Sequence, residues 1–363
     1  MSSTYGEYLK LSIFGQSHGP AIGMTMDGIP AGLSVDFTKL QKFLDRRAPG
    51  RGPHCTSRME SDCPEFLSGI VDGHTCGAPI AAVIPNTDAN SKDYYELKDC
   101  PRPGHADFTA QMKYRGYQDA AGGGHFSGRL TAPLCIAGGL CKQWLESIGV
   151  RIGAHISVIA GVADAPMNLD WANPDLNAIS SDFPVINPEA GKRMLAEIEK
   201  AQADGDSVGG IIECIVTGLP AGLGAPMFGG IESRIAQIIY GIPGVKGLDF
   251  GSGFSGSYLR GSQNNDPYTV KEGKIIPLTN QAGGILGGIT TGMPVVFQTA
   301  IKPTASIAKE QQTASFSKLE TRILSVKGRH DPCIVPRAVP VVEAAAAVAI
   351  FDICLAESMF RED

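Results

Sequence analysis

The chain has 363 residues, 43% of them apolar and 19% charged, with 45 glycines and a formal net charge of −6. That content supports a large core, and the acidic balance, with no Lys/Arg run longer than Arg46-Arg47, argues against the basic face of a nucleic-acid binder. The longest apolar run, Ala344 to Phe351, is too short to span a bilayer, and the opening MSSTYGEYLK lacks the apolar stretch of a signal peptide, so a soluble cytoplasmic protein is expected.

A strand-like run, Leu9 to Phe14, leads into GQSHG (Gly15 to Gly19) and a second strand-like run, Ala21 to Met26. Ser17 and His18 are thereby presented at a strand end. The pentapeptide matches Gly-x-Ser-x-Gly, but a nucleophile elbow requires a helix next, and Pro20 and a strand follow. His18 suits a general acid toward an oxygen leaving group, or simply a histidine bonded within its turn. GIPAGL (Gly28 to Leu33) precedes a helix over Asp36 to Arg47 with Asp36 as N-cap, and GIVDGHTCGAPI (Gly69 to Ile80) opens a strand over Ile80 to Ile84. RPGHAD (Arg102 to Asp107) puts His105 just ahead of a helix that Asp107 is placed to cap. GGGHFSGR (Gly122 to Arg129) opens a helix over Arg129 to Ile148, ended by Gly149. Three glycines there suit an anion cradle or a flexible loop, and Phe126 suits packing on a flat ring.

The second half offers strands over Ile152 to Val162, Ile211 to Val216 and Val295 to Ile301, and helices over Gly191 to Ala203, Ile231 to Tyr240 and Ala338 to Glu357, the last with Pro340 in its first turn. It repeats two motifs of the first half in order: GLPAGL (Gly218 to Leu223) and GILGGITTGMPV (Gly284 to Val295), with similar flanking elements. A duplicated unit is the preferred reading, with copies of roughly 6–135 and 205–345 within one domain of 1–363. Strands that cluster as well as alternate with helices favour α+β with antiparallel sheets. KPTAS (Lys302 to Ser306) is a lysine and two hydroxyls around a turn, suited to a phosphate. GRHDPCIVPRAVP (Gly328 to Pro340) gathers Arg329, Asp331 and Arg337 before the last helix, as an anion site or as an ion-pair network. Arginines in Gly/Pro-rich segments of an acidic protein suggest a small anionic ligand. Nine scattered cysteines read as reduced thiols, and no metal site is expected.

GQSHG, DRRAPG (Asp45 to Gly50), LSG (Leu67 to Gly69), NTD (Asn86 to Asp88), RPGHAD, LRGSQN (Leu259 to Asn264), AGGILGG (Ala282 to Gly288), KPTAS and GRHDPC follow in order, and together the chain resembles the chorismate synthase family over nearly its whole length. The resemblance implies a β-α-β sandwich with helices between antiparallel sheets, related by a pseudo-twofold duplication. It implies conversion of 5-enolpyruvylshikimate 3-phosphate to chorismate and phosphate, a homotetramer, and FMN in its reduced form, FMNH2, which lends an electron transiently in a redox-neutral reaction. By motif match, His18 would protonate the departing phosphate, His105 would manage the proton of the reduced cofactor, and Asp331 would assist proton removal. Ser17, Arg47, Arg51, Arg129 and Arg337 would hold the substrate. His125, Phe126, Ser127, Gly244, Gly287, Lys302, Pro303, Thr304, Ala305, Ser306 and Arg329 would contact FMN.

Some residues depart from the family text. GGGHFSGRL stands where GGGRSSARE is commoner, Pro243-Gly244 where Asn-Ala is usual, and Arg51 would have to substitute for an arginine near Pro53. No reductase segment is evident, so an external flavin reductant is expected, with NADP in the wider chemistry. Two alternatives carry different expectations. A flavin-dependent reductase of an anionic metabolite would consume NADPH stoichiometrically. A non-catalytic anion-binding protein would need neither histidine.

Overall fold

The structure, a computed structural model, describes residues 3–50, 62–86, 96–167, 175–179, 183–326 and 330–359. Arg51, Pro53 and Arg329 lie outside the described residues. The first half contains β1 (Thr4–Tyr5), β2 (Lys10–Gly15), β3 (Ala21–Asp27), α1 (Phe37–Arg47), β4 (Glu65–Ser68), β5 (Ile70–Val71), β6 (His74–Thr75), β7 (Ile80–Pro85), α2 (Asp107–Tyr114) and α3 (Thr131–Ser147). It continues through β8 (Arg151–Ile159), β9 (Val162–Ala163), α4 (Pro188–Ala203), β10 (Gly210–Thr217), β11 (Ala221–Gly224), α5 (Ile231–Ile239), β12 (Val245–Phe250) and α6 (Gly261–Asn264). The remainder is β13 (Tyr268–Lys271), β14 (Lys274–Pro277), β15 (Ile285–Leu286), β16 (Ile289–Thr291), β17 (Val295–Ile301), β18 (Gln311–Ala314), β19 (Thr321–Leu324) and α7 (Val335–Ala356).

Two five-stranded antiparallel sheets sandwich the helices, as expected for α+β. One runs β1-β2-β3-β7-β4; the other, read from the matching edge, runs β9-β8-β10-β17-β12. α3 packs on β2, β3 and β7, α7 packs on β8 and β10, and the two helices pack on each other. They approach closely because α3 carries Gly138, where a Cβ would fall 2.3 Å from the Ala344 Cα. α7 is largely apolar and enclosed: although long and apolar enough to cross a membrane, 94% of its most apolar window is buried inside the fold.

The repeated motifs make the same bonds. The Thr75 hydroxyl donates to Pro30 O at 2.7 Å and accepts from Leu33 N at 2.9 Å; Thr290 does the same with Pro220 O and Leu223 N, at 2.7 and 2.9 Å. β5–β6 pairs Ile70 with Thr75 and β15–β16 pairs Ile285 with Thr290, so Asp72 and Gly287 occupy matching turn positions, with φ of 48° and 62°. The matching elements run from β2 to α3 and from β8 to α7. The second set therefore begins well before residue 205, because α4 is inserted between β8 and β10.

Several boundaries differ from the sequence expectation. Asp36 caps α1 as expected, accepting from Lys39 N at 2.9 Å. α4 begins at Pro188, capped by Asn187, because a proline suits the first helical position. α7 begins at Val335, so Pro336 takes the first turn and Pro340 falls inside the helix. The run Ile152 to Val162 breaks at Ala160 and Gly161, whose φ values of 49° and 83° turn the chain between β8 and β9. A 3₁₀ turn over Gly128–Leu130 precedes α3, which starts at Thr131 rather than Arg129. A buried carboxylate ties the halves: Glu343 of α7 accepts from both terminal nitrogens of Arg46 (α1), from Lys142 (α3), and from Ala154 N (β8) at 3.2 Å.

Candidate active site

The site lies where the β7–α3 and β17–α7 connections meet the turn after β2. That turn presents Ser17, which is buried, and His18; the Ser17 hydroxyl stands 3.2 Å from His18 Nδ1, and Ser17 N donates to Gly124 O. Gly122, Gly123 and Gly124 all have positive φ, at 62°, 96° and 55°. A Cβ on Gly122 would lie 2.0 Å from the His18 ring, and one on Gly123 would lie 3.1 Å from His105 Cε1. The two histidines therefore rest on consecutive glycines, whose Cα atoms are about 3.8 Å apart. The glycine loop keeps its backbone bare for these rings, and the helix start lies beyond a further turn.

His105 is held from behind. Its Nδ1 is 2.6 Å from Asp107 Oδ1, and Arg102 grips the same carboxylate through Nε at 2.7 Å, Nη2 at 2.8 Å and its backbone N at 3.0 Å. Asp107 is the first residue of α2 and makes no side-chain cap; its carboxylate turns back to Arg102 and His105. Burial would raise its pKa, but the bonds and charges of Arg102 and His105 outweigh that and hold it well below the usual carboxylate range. Arg102 Nη1 also donates to Ser306 Oγ at 3.2 Å, and Lys302 Nζ donates to Gly104 O, so the KPTAS and RPGHAD segments are joined. Burial, then the charge of Lys246, lowers the Lys302 pKa. Lys302 N donates to Gly244 O, which brings Gly244 to the same segment.

Next to the histidines lies an arginine cluster. Arg47, 2% exposed, and Arg129, 6% exposed, share the fully buried Asp62: Arg47 Nε donates at 2.6 Å and Arg129 Nη1 donates to the other oxygen. Arg337 donates to Arg47 O at 3.0 Å and to Asp331 at 2.5 Å. Asn86 joins this cluster to the His18 turn. Its amide donates to Gln16 O and Gly19 O at 3.0 and 2.8 Å, and its oxygen is 3.4 Å from Arg129 Nε.

Other expected residues sit less centrally. His125 donates through Nδ1 to Gly15 O at 2.9 Å and meets Ser3 Oγ through Nε2 at 2.7 Å, so its ring is tied to the strand edge. Ser127 accepts from Arg129 N at 3.2 Å, and the Phe126 ring is 6.2 Å from that of Tyr114. Gly287 stands at the β15–β16 turn with open space around it. Sequence reasoning missed Asp62 and assigned no role to Arg102 or Asn86, and it read Asp107 as a cap. The Arg-x-x-His-x-Asp spacing held a signal for the Arg102 clamp; nothing in the text around Asp62 marked it.

Two histidines beside clustered guanidiniums make an arrangement suited to an enzyme that acts on an anionic substrate. A family model described as chorismate synthase matches residues 9–355. The chain is 45% identical over 365 residues to a chorismate synthase of Lancefieldella parvula, covering 97% of this chain and 96% of the relative. It is 46% identical over 350 residues to a chorismate synthase of Korarchaeum cryptofilum, covering 96% of each. A solved structure titled Crystal Structure of Chorismate Synthase superposes with a TM-score of 0.75 at 27% identity, covering 97% of this chain and 93% of that one. The chain belongs to the chorismate synthase family and is a lyase of aromatic amino acid biosynthesis; the reductase and anion-binding alternatives find no support.

Proposed function

We propose that the chain eliminates phosphate from 5-enolpyruvylshikimate 3-phosphate in an anti-1,4 sense to give chorismate, with reduced FMN bound. The observation that carries this reading is the placement of His18 and His105 on adjacent glycines beside the Arg47, Arg129 and Arg337 cluster. His18, steadied by Ser17, protonates the phosphate oxygen as its bond to carbon breaks. Arg47, Arg129 and Arg337 hold the substrate's phosphate and carboxylates, with Arg51 as a further candidate. Asp331, ion-paired to Arg337, assists removal of the ring proton. His105 holds or releases a proton at Nε2.

The residues present fit a phosphorylated flavin. Thr304 Oγ1 is buried with no hydrogen-bond partner among the described residues, in the same KPTAS segment as Lys302. Lys302, Pro303, Thr304, Ala305, Ser306, Gly244, Ser127, Phe126, His125, Gly287 and Arg329 would hold it. When bound, reduced FMN supplies a transient electron and recovers it, so the net reaction is redox-neutral. We place the protein in the cytoplasm as a homotetramer supplied by an external, NADPH-dependent flavin reductant. The exposed Met227, Phe228, Phe254 and Tyr258 side chains support a self-associating surface. Anaerobic turnover with photoreduced FMN tests the reading. Release of many phosphates per flavin, with the flavin still reduced, is expected; one reductant consumed per product would overturn it in favour of a reductase.

A further inference from the structure

We propose that Asp107 is a positioning residue that fixes the tautomer of His105, keeping the proton on Nδ1 and leaving Nε2 to face the ligand. The inference deepens the proposed function and rests on it, because it takes His105 to be the residue that handles a proton beside the cofactor.

Hydrogen-bond capacity at Nδ1 decides the tautomer. His105 Nδ1 has two close neighbours, Asp107 Oδ1 at 2.6 Å and Arg102 Nη2 at 3.0 Å. An ionised carboxylate only accepts and a guanidinium only donates, so the two make opposite demands on Nδ1. The shorter contact decides between them. A bare Nδ1 lone pair 2.6 Å from a carboxylate oxygen would be repelled, whereas Nδ1–H donates to it. Arg102 Nη2 meanwhile donates to that same oxygen at 2.8 Å, so it has no need of the ring. Arg102 is 4% exposed, and its second arm reaches Ser306 at 3.2 Å. The carboxylate is thus kept ionised and fixed in direction by a guanidinium that is itself anchored to the opposite loop.

The other edge of the ring faces Gly123, where a Cβ would stand 3.2 Å from Nε2. With Nδ1 committed behind, Nε2 is the nitrogen left for exchange. A carboxylate behind a working imidazole commonly sets which nitrogen carries the proton, and replacing it by an amide leaves the geometry but frees the tautomer.

The test uses full-length protein with ring-¹⁵N histidine, free of FMN, and the variants Asp107→Asn, Asp107→Glu and His105→Ala, the last assigning the His105 signals. Wild-type His105 should be the Nδ1–H tautomer at alkaline pH, and Asp107→Asn should populate Nε2–H. Asp107→Asn should lower kcat by about a hundredfold or more, with KM and the FMN Kd within about threefold of wild type, and Asp107→Glu should restore part of kcat. A wild-type His105 in the Nε2–H form would overturn the proposal even if Asp107→Asn did not fold. So would unchanged kcat in Asp107→Asn while His105→Ala is inactive. An active His105→Ala would instead overturn the role given to His105, and the tautomer measurement would still decide that of Asp107.

Discussion

The two halves of the molecule share a frame and differ in what is threaded through it. In the first, β2 passes to β3 through a short turn carrying Ser17 and His18; in the second, β8 passes to β10 through a long connection carrying β9 and α4. After the last strand in chain order of each main sheet, β7 or β17, both halves send a long connection to the central helix. The first connection carries Asn86, Arg102, His105 and the three glycines; the second carries Lys302 to Ser306 and Asp331. The paired threonines Thr75 and Thr290 keep the same bonds, whereas the site residues come from connections of different sequence in the two halves. Asp72 and Gly287 show the same divergence at one turn: a flavin role is proposed for Gly287, and a carboxylate at its position would repel an anion.

The largest effect should come from the diverged turns. His18→Ala and His105→Ala are each expected to lower turnover by about two to four orders of magnitude with FMN still bound, the usual size for lost acid–base help. Phosphate release and flavin absorbance together measure this; near wild-type turnover in either variant would remove that residue from the chemistry.

The link between the halves should appear in acid. Burial would raise the Glu343 pKa, but the charges and bonds of Lys142 and Arg46 bring it from 4.5 down to about 2. A depressed carboxylate contributes fully above its unfolded pKa and loses that contribution as pH falls through the folded value. Glu343 should therefore supply about 3 kcal/mol above pH 4.5 that vanishes toward pH 2. Urea unfolding of wild type and Glu343→Gln across that range should show the two converge as pH falls; a constant gap would mean the ion pairs do not carry the difference.

Within the arginine cluster, Arg129→Lys should weaken substrate binding about tenfold, since a lysine cannot hold Asp62 and a second anion with one planar fork. Titration of substrate into FMN-loaded protein reads this directly, and equal affinity would take Arg129 out of the anion site. The smallest effect belongs to the frame. Thr75→Val and Thr290→Val each strand a carbonyl and an amide, at about 1–3 kcal/mol. Their urea midpoints should fall together, with turnover preserved; a loss confined to one would show that the two motifs do not share the same duty.

Much of this was legible in the sequence because it follows from local chemistry. Strand-like apolar runs gave β3, β7 and β17, Asp36 announced its helix, and positive-φ turns left matched glycines in both copies. The ordered motifs pointed to the site. What was hidden depends on tertiary contact. Asp62 is buried only because two arginines from α1 and the Gly128–Leu130 turn converge on it. Asp107 looks like a helix cap until the Arg102 guanidinium is seen to draw it backward. Pro336, rather than Pro340, takes the first turn of α7 because either proline suits a first turn and only packing chooses.

His18 rests against Gly122. An alanine there would place its Cβ 2.0 Å from the His18 ring, a side chain that can move, at a φ of 62° that costs a non-glycine residue about 1–2 kcal/mol. Phosphate release by a folded Gly122→Ala protein at saturating substrate and reduced FMN is the most direct measurement. A fall of about a hundredfold or more is expected; turnover equal to wild type would contradict the placement of the acid on the glycine loop.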